Sequence, residues 1–557
     1  MSGLRIALAL ALVQAVLLLG IARDKSDTVD ESSYMASAAT LWAHRDFQYL
    51  CGAPVLPMWG FALALRTVDP ALAATPRAAP LDEIVGGSAA AFRRRLLAAR
   101  GATVAVVVAA GLALGCAARR FGPRAGLAAQ ALWCFSPTVL ANGALATLDA
   151  WSAALACAVL LATIRLLERP TAACAAALGV TLAGAAATKI TTLPMIFVLG
   201  AVAVTRGMMS SDRRSPARVL VGACAAAFFV TLWVIYGLTV GAVQLGAPCT
   251  PAAAGVPSIG PLPFPAWIEG AAFQVLHGRE GHLDYLFGAV SRSGWWWFYL
   301  TCLGLKLTLG AQAIAVLRGS TLLGASRHEL ALDLALLAYP VLLLVLLSAG
   351  RHQANVAFLL PAFPFAMVWA ARALGDAPLL LGARGRAVFA ALLLLAIGEA
   401  LRVYPHELMF FNVWAGGPEG GPRYLVHRED WGQDKRRLGK WQRRHGVDRL
   451  FYAGYGSNAE LWGVVGDPVP CTPTVGTYAL HAVEVHRPQF SLTRGCVDWL
   501  TVEPPDERLG YSIYIYRVDA ARLERLRRER ATTRPFWRSG SDPPAPTAAV
   551  EWRSPVA

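Results

Sequence analysis

For its first four hundred residues the chain alternates long apolar runs with short breaks rich in Arg, Gly or Pro, and then the pattern changes. The runs fall at 4–21, 101–118, 127–139, 151–167, 172–187, 190–204, 219–240, 296–316, 330–348, 356–371 and 387–401. Crossing about 30 Å of hydrocarbon takes roughly 20 residues of helix, so the pattern predicts a mainly α, polytopic membrane helix bundle of about 11 spans over 1–402. Arg5 precedes the first run as in a signal peptide, but no clear small-x-small cleavage pattern stands at 20–22, and the run reads as an uncleaved helix.

Two long segments interrupt the spans, a first loop at 22–100 and a second at 241–295. Within the first, 34–50 and 54–65 have the character of helices lying at the membrane interface. From 403 to 535, Gly and Pro turns alternate with short aromatic and β-branched runs such as "RLFYAGYG" and "YSIYIYRV", the signature of a small α/β domain. The Pro-, Ser- and Ala-rich stretch 536–557 reads as a disordered tail.

Composition supports the membrane reading, with 56% hydrophobic and 16% charged residues against roughly 25% charged in soluble domains. The net charge of +15 does not point to nucleic acid, because arginines concentrate in alternate short loops: Arg119, Arg120 and Arg124; Arg165 and Arg169; Arg206, Arg213, Arg214 and Arg218; Arg318 and Arg327; Arg384 and Arg386. A positive-inside bias puts those loops and the amino terminus in the cytoplasm, and both long loops and the C-terminal domain outside the plasma (inner) membrane. Arg93, Arg94, Arg95 and Arg100 break that rule, and two readings stand: snorkelling to headgroup phosphates, or lining the approach of an anionic lipid substrate. Of ten cysteines, six lie in apolar runs and none has metal-ligand spacing. The other four, Cys51, Cys249, Cys471 and Cys496, fall on the outer side, where disulfides are permitted, and Cys471 is expected to pair with Cys496.

The outer side also holds the candidate chemistry. In "DTVDESSY", Asp30 and Glu31 stand side by side just beyond the first span. Glycosyl transfer from a phosphate leaving group needs a base for the acceptor hydroxyl and no acid for the departing phosphate. A carboxylate beside another, shielded by lipid, has a raised pKa suited to that task, and a single displacement inverts the anomeric centre. Two acids here also suit a solvated helix N-terminus, favoured by the helix dipole. Asp149 falls on the same side, where it equally suits an N-cap. Trp295, Trp296 and Trp297 read as an interfacial belt. Arg351 and His352, at the mouth of a span, call for an anionic partner such as a lipid phosphate.

Taken together, "DESSY", "SPTVLANGALATLDAW", "TKITTLP", "YLFGAVSRSGWWWFY…LK" and "GRHQANVAFLLPAFPF" occur in an order that resembles bacterial relatives of the protein O-mannosyltransferases and lipid A aminoarabinose transferases, of the GT-C superfamily. The resemblance spans most of the chain and implies a GT-C fold and a polyprenyl-phosphate-sugar donor. It implies Asp30 as catalytic base with Glu31 in support, Asp149 across the same cavity, and Arg351 and His352 near the carrier phosphate. Tyr34 and His282 join Asp149 as expected sugar contacts, and Arg292 joins the phosphate group. No metal ligands are assigned and no cofactor is required, although the acids are compatible with a divalent cation, Mg or Mn. Expected partners are the donor, the lipid bilayer and an acceptor protein, lipid or glycan. The stretch ending "REDWGQD" resembles one that usually reads N-L-D-W-G-Q-D in this family; here Arg428 and Glu429 stand at the first two positions, and the C-terminal domain is given no catalytic role. Two other classes remain open. A lipid-linked sugar transporter or flippase would place ionisable groups near the midplane, with Lys189 the one candidate, otherwise read as snorkelling at a helix end. A catalytically silent glycan-binding protein is the other.

Overall fold

A computed structural model describes residues 2–47, 49, 55–74, 84, 86–196, 198–199, 217–244, 258–375, 382–454, 458–486 and 496–529. The tail expected at 536–557, and Cys51 and Cys249, lie outside the described residues.

The chain is mainly helical. Its principal helices are α1 (Ser2–Asp24), α2 (Val29–His44), α3 (Val55–Val68), α4 (Ala89–Ala118), α5 (Pro123–Cys134), α6 (Pro137–Gly143), α7 (Leu148–Glu168), α8 (Ala172–Ala186), α9 (Ala217–Ile235), α10 (Pro265–Glu280), α11 (Phe298–Lys306), α12 (Leu309–Ser320), α13 (Arg327–Ala349), α14 (Phe363–Ala371), α15 (Ala383–Arg402), α16 (Lys435–Arg444) and α17 (Ala520–Glu529). Among the described residues, six helices are long and apolar enough to cross a membrane, or seven if the bent pair 298–306 and 309–323 counts as one span. That is fewer than the eleven apolar runs, for local reasons. The run 127–139 is split into α5 and α6 where Pro137 denies the ladder a donor. The run 172–187 supplies a helix of only 15 residues, and most of 190–204 is either a short 3₁₀ turn or outside the described residues.

The spans carry the surface that lipid requires. Along α1, Leu4, Leu8, Leu12 and Val16 recur every fourth residue and are exposed, while Leu18, Ile21 and Ala22 pack inward, a stripe spaced for one helix face. Phe229, Val230 and Val234 do the same on α9, as do Leu334, Val341 and Val345 on α13. Inside, small residues let backbones approach: a Cβ on Gly179 of α8 would lie 2.2 Å from the Cys224 carbonyl oxygen of α9.

The C-terminal region supplies a five-stranded mixed sheet, β6 (Gly466–Pro468), β5 (Leu450–Ala453), β7 (Gly476–His481), β9 (Ile513–Val518) and β8 (Glu507–Leu509) in spatial order, so both quoted aromatic runs do contain strands. Two small hairpins, β1–β2 (Val240–Val243 with Ile259–Pro263) and β3–β4 (Asp284–Leu286 with Ala289–Ser291), sit in the second long loop. Tyr478, Tyr514, Tyr516 and Trp499 are buried in the core of the five-stranded sheet, and Cys471 is bonded to Cys496.

That crosslink closes a loop across 25 residues of sequence, and loop-closure entropy alone makes it worth roughly 3.5 kcal/mol. Cys471→Ser should therefore lower the thermal stability of the outer region measurably, and alkylation mass shifts should show both thiols blocked until the protein is reduced.

Candidate active site

The site is assembled at the junction of α1, α2 and the segment 427–435. Thr28 precedes α2, and Glu31 reaches back so that its Oε2 accepts the Thr28 N–H at 2.9 Å and hydroxyl at 3.1 Å. The same carboxylate accepts the Ala146 N–H at 2.7 Å and is gripped by Arg100, whose Nε donates to Oε1 at 2.8 Å and Nη2 to Oε2 at 2.6 Å. Arg100 spends its remaining N–H groups on the carbonyls of Ala22, Lys25 and Ser26 at 2.7, 2.9 and 2.8 Å. All five guanidinium donors are thereby used, and both side chains are fully buried. Burial alone would raise the Glu31 pKa, but Arg100 and the hydrogen bonds outweigh it and hold the carboxyl below its ordinary range.

This corrects two expectations. Glu31 cannot support Asp30 as a second catalytic acid, because every lone-pair direction is occupied in an ion pair facing the core. Arg100 is neither a headgroup anchor nor a lipid guide. Arg95 is likewise buried, on Asp69 and the carbonyls of Ile84 and Gly86, and Arg93 lies over the Trp462 ring at 4.8 Å.

Successive helical residues are about 100° apart, so with Glu31 facing inward Asp30 faces elsewhere, toward Arg428. Arg428 Nη2 donates to Asp30 Oδ2 at 3.1 Å, and Nη1 donates to Asp149 Oδ2 at 3.1 Å. Asp149 also takes an ion pair from Lys189. Tyr34 lies one turn further along α2, and burial and then the Asp30 charge raise its phenol pKa. Asp30 keeps 31% of its side chain exposed, against 3% for Asp149, yet protein surrounds it. Loss of water raises the Asp30 pKa above 3.8, Arg428 and Lys189 pull it down, Asp149 pushes it up, and the balance is a raised value. The influences that raise it are burial first and then Asp149 across the site.

Two aromatic rings carry the cations. Arg428 lies 4.3 Å over Trp431 and 5.4 Å from Phe358, and Lys189 lies 4.2 Å over the same Phe358. Arg428 is held there by its neighbours: Glu429 pairs with Lys306, Asp430 accepts from Val483 N–H and bonds His481, and Asp434 takes Lys25 at 2.7 Å and the Ser512 hydroxyl at 2.7 Å. Backbone bonds Ser26 N–H to Gln433 O and Val29 N–H to Trp431 O tie this segment to the start of α2. The C-terminal region, expected from the sequence to have no catalytic role, therefore contributes Arg428 to the site.

The other expected residues meet different partners. Asp149 is not an N-cap, since Thr147 holds that position before α7, and Lys189 is an ion-pair partner instead of a snorkelling residue. Arg351 and Arg292 are exposed, and the expected phosphate ligand His352 stacks on His282 at 4.1 Å. Burial, then His282 and Arg428, pull its pKa down to about 2, which disfavours a charged imidazole there. His282 lies in the same ring cluster. Arg428 and Lys189 take the cationic place beside the two aspartates; the only sequence sign of Arg428 was its departure from the family's usual residue.

The chain matches no family model, and no curated protein matches it. Among solved structures it is similar to ArnT from Cupriavidus metallidurans in the apo state, at 16% identity and a TM-score of 0.45 over 72% of this chain, which spans 64% of the length of that one. It is also similar to ArnT from the same organism bound to undecaprenyl phosphate, at 13% identity and a TM-score of 0.45, covering 91% of this chain and 97% of that one.

Removing one partner of a fully buried ion pair costs about 3–5 kcal/mol. Arg100→Ala and Glu31→Ala should each destabilise the protein by that order in detergent melting curves. Asp30→Asn, at a partly exposed position, should melt close to the parent.

Proposed function

We propose that the chain is an inverting membrane glycosyltransferase of the GT-C type, moving a sugar from a polyprenyl-phosphate donor to an acceptor hydroxyl on the outer face of the inner membrane. One observation carries the reading: a partly exposed carboxylate with a raised pKa, Asp30, sits within a bidentate guanidinium bridge to Asp149, with a second cation alongside. The ordered motifs noted in the sequence support the donor class. An apolar cavity of about 270 Å³ lined by residues such as Phe135, Leu303, Leu344 and Phe363 suits hydrocarbon.

In this mechanism Asp30 accepts the acceptor's hydroxyl proton while the hydroxyl oxygen attacks the anomeric carbon. The bond from that carbon to the phosphate oxygen breaks, its electron pair leaves with the phosphate, and no acid is needed. Arg428 and Lys189 are the cations placed to meet the phosphate charge. Asp149 holds both of them, and Tyr34 lies one turn along α2 from Asp30. Arg351 and Arg292, exposed at the mouth, serve at most as outer attractors for the anionic lipid. The chemistry requires no metal, and a Mg or Mn ion is not assigned a step. The acceptor is a hydroxyl of a protein, lipid or glycan, and the amino terminus is cytoplasmic.

The buried charges at Asp149, Lys189 and Arg428 also suit a lipid-linked sugar flippase, which turnover separates. With the protein in liposomes containing polyprenyl-phosphate sugars and cell-envelope acceptors, mass spectrometry should detect free polyprenyl phosphate and glycosylated acceptor. Asp30→Asn should cut that turnover by on the order of 10²–10⁴ while leaving the protein folded. Undiminished turnover in Asp30→Asn removes the base, and donor movement without consumption favours the flippase.

A base works only when deprotonated. Activity should therefore be present at higher pH and fall as pH drops through the Asp30 pKa, with a midpoint above the 3.8 of an ordinary aspartate. Because Arg428 is the strongest influence pulling that pKa down, Arg428→Gln should move the acid limb of the pH–rate profile upward as well as weakening donor binding.

A further inference from the structure

Three imidazoles from two distant stretches converge outside the Asp30 site. His277 lies in the last turn of α10, His282 follows two residues beyond the end of that helix, and His352 comes from the loop after α13. Their ring nitrogens can all be taken within 4.8 Å of one another. His277 Nε2 and His282 Nε2 are 2.6 Å apart, and the His352 ring stands 4.1 Å from His282 and 5.5 Å from His277.

The backbone is shaped for this approach. Gly281 has φ +73°, and a Cβ there would lie 2.5 Å from the Arg292 carbonyl oxygen and 2.9 Å from Arg351 Cβ. Only glycine lets the chain press against the 351–352 loop, where His282 N–H donates to Arg351 O at 3.3 Å. Phe273 stacks on His277, and Phe358 meets His352 edge-on at 5.4 Å, restricting both rings.

Neutral imidazole has one donor and one acceptor nitrogen, so hydrogen bonding within such a cluster joins rings in pairs, whereas a cation accepts a lone pair from all three together. Imidazole selects Zn, Cu or Ni over Mg or Ca. At Zn–N distances of about 2.0–2.1 Å, tetrahedral geometry spaces ligand nitrogens about 3.4 Å apart, within the observed spread and reached by small ring rotations.

We propose that His277, His282 and His352 bind a transition-metal ion of the zinc class, fastening the end of the second long loop to the loop after α13. Three imidazoles leave the fourth tetrahedral position to water or an anionic oxygen. The clamp abuts the candidate active site through Phe358, whose ring contacts His352 on one side and Lys189 and Arg428 on another. It does not depend on the transferase reading, since its readout is metal content and not turnover.

The test uses the full-length protein purified in detergent with a histidine-free tag, stripped by chelator and then exposed to zinc against a chromogenic competitor. Wild type should retain one zinc per chain by elemental mass spectrometry, and cobalt substitution should give the visible absorption of a tetrahedral nitrogen-ligated ion. His277→Ala, His282→Ala and His352→Ala should each weaken zinc at least about tenfold, while His328→Ala, at an exposed position on α13, should not. A folded wild type that holds no stoichiometric zinc and gives no tetrahedral cobalt spectrum overturns the proposal without recourse to any variant. Zinc retained undiminished by the triple alanine variant overturns it equally.

Discussion

The buried pair of Glu31 and Arg100 is the constraint on which the arrangement of the site depends. Two opposite charges taken wholly out of water are tolerated only when their remaining hydrogen-bonding capacity is met. Here the carboxylate takes two backbone N–H groups and a hydroxyl in addition to the guanidinium, and the guanidinium takes three backbone carbonyls. Those carbonyls belong to the end of α1 and the turn after it, and the Ala146 N–H belongs to the approach to α7. One ion pair thus fixes α1, α2, α4 and the segment before α7 relative to each other. The direction of Asp30 follows, because the residue before Glu31 must leave the helix on a different side.

A second set of buried charges aligns the C-terminal region to the same turn. Lys25 meets Asp434, Lys435 meets Asp27, and Trp462 Nε1 donates to Asp27 Oδ1 at 2.6 Å. Lysines and aspartates are exchanged between the two segments, so neither can move without leaving unpaired charge behind. This interlock delivers Arg428 to Asp30 across 398 residues of sequence, and it explains why "DWGQDK" carries so many polar residues that end up buried.

The sequence was informative about whatever depends on local pattern. Apolar run length located most of the long helices, short aromatic and β-branched runs located β5 and β9, and the adjacent acids fall at the start of α2. Which acid faces the core was not legible, because that is decided by Arg100, 69 residues away, and an arginine close to an expected membrane surface reads equally well as a headgroup anchor. Arg428 was visible only as a departure from a familiar motif, since its role is defined by Asp30 and Asp149 from two other elements. His277 and His282 were both in view within one short stretch, but the third ring, His352, is brought to them by tertiary packing.

The charges at the proposed site give the transferase reading an internal logic. Asp30, Asp149, Lys189 and Arg428 sum to zero, so the recess carries no standing excess that would demand a bound counterion. Asp149 is the better held aspartate, nearly buried between two cations, while Asp30 is more exposed and shares a single guanidinium. A phosphodiester entering here competes for Arg428, and the weaker of its two contacts is the one to Asp30. As the guanidinium turns toward phosphate, the influence that lowers the Asp30 pKa diminishes while burial and Asp149 continue to raise it. On the transferase reading, Asp30 would become a stronger base once the donor is in place, and deprotonation of the acceptor hydroxyl would be coupled to occupancy of the phosphate site.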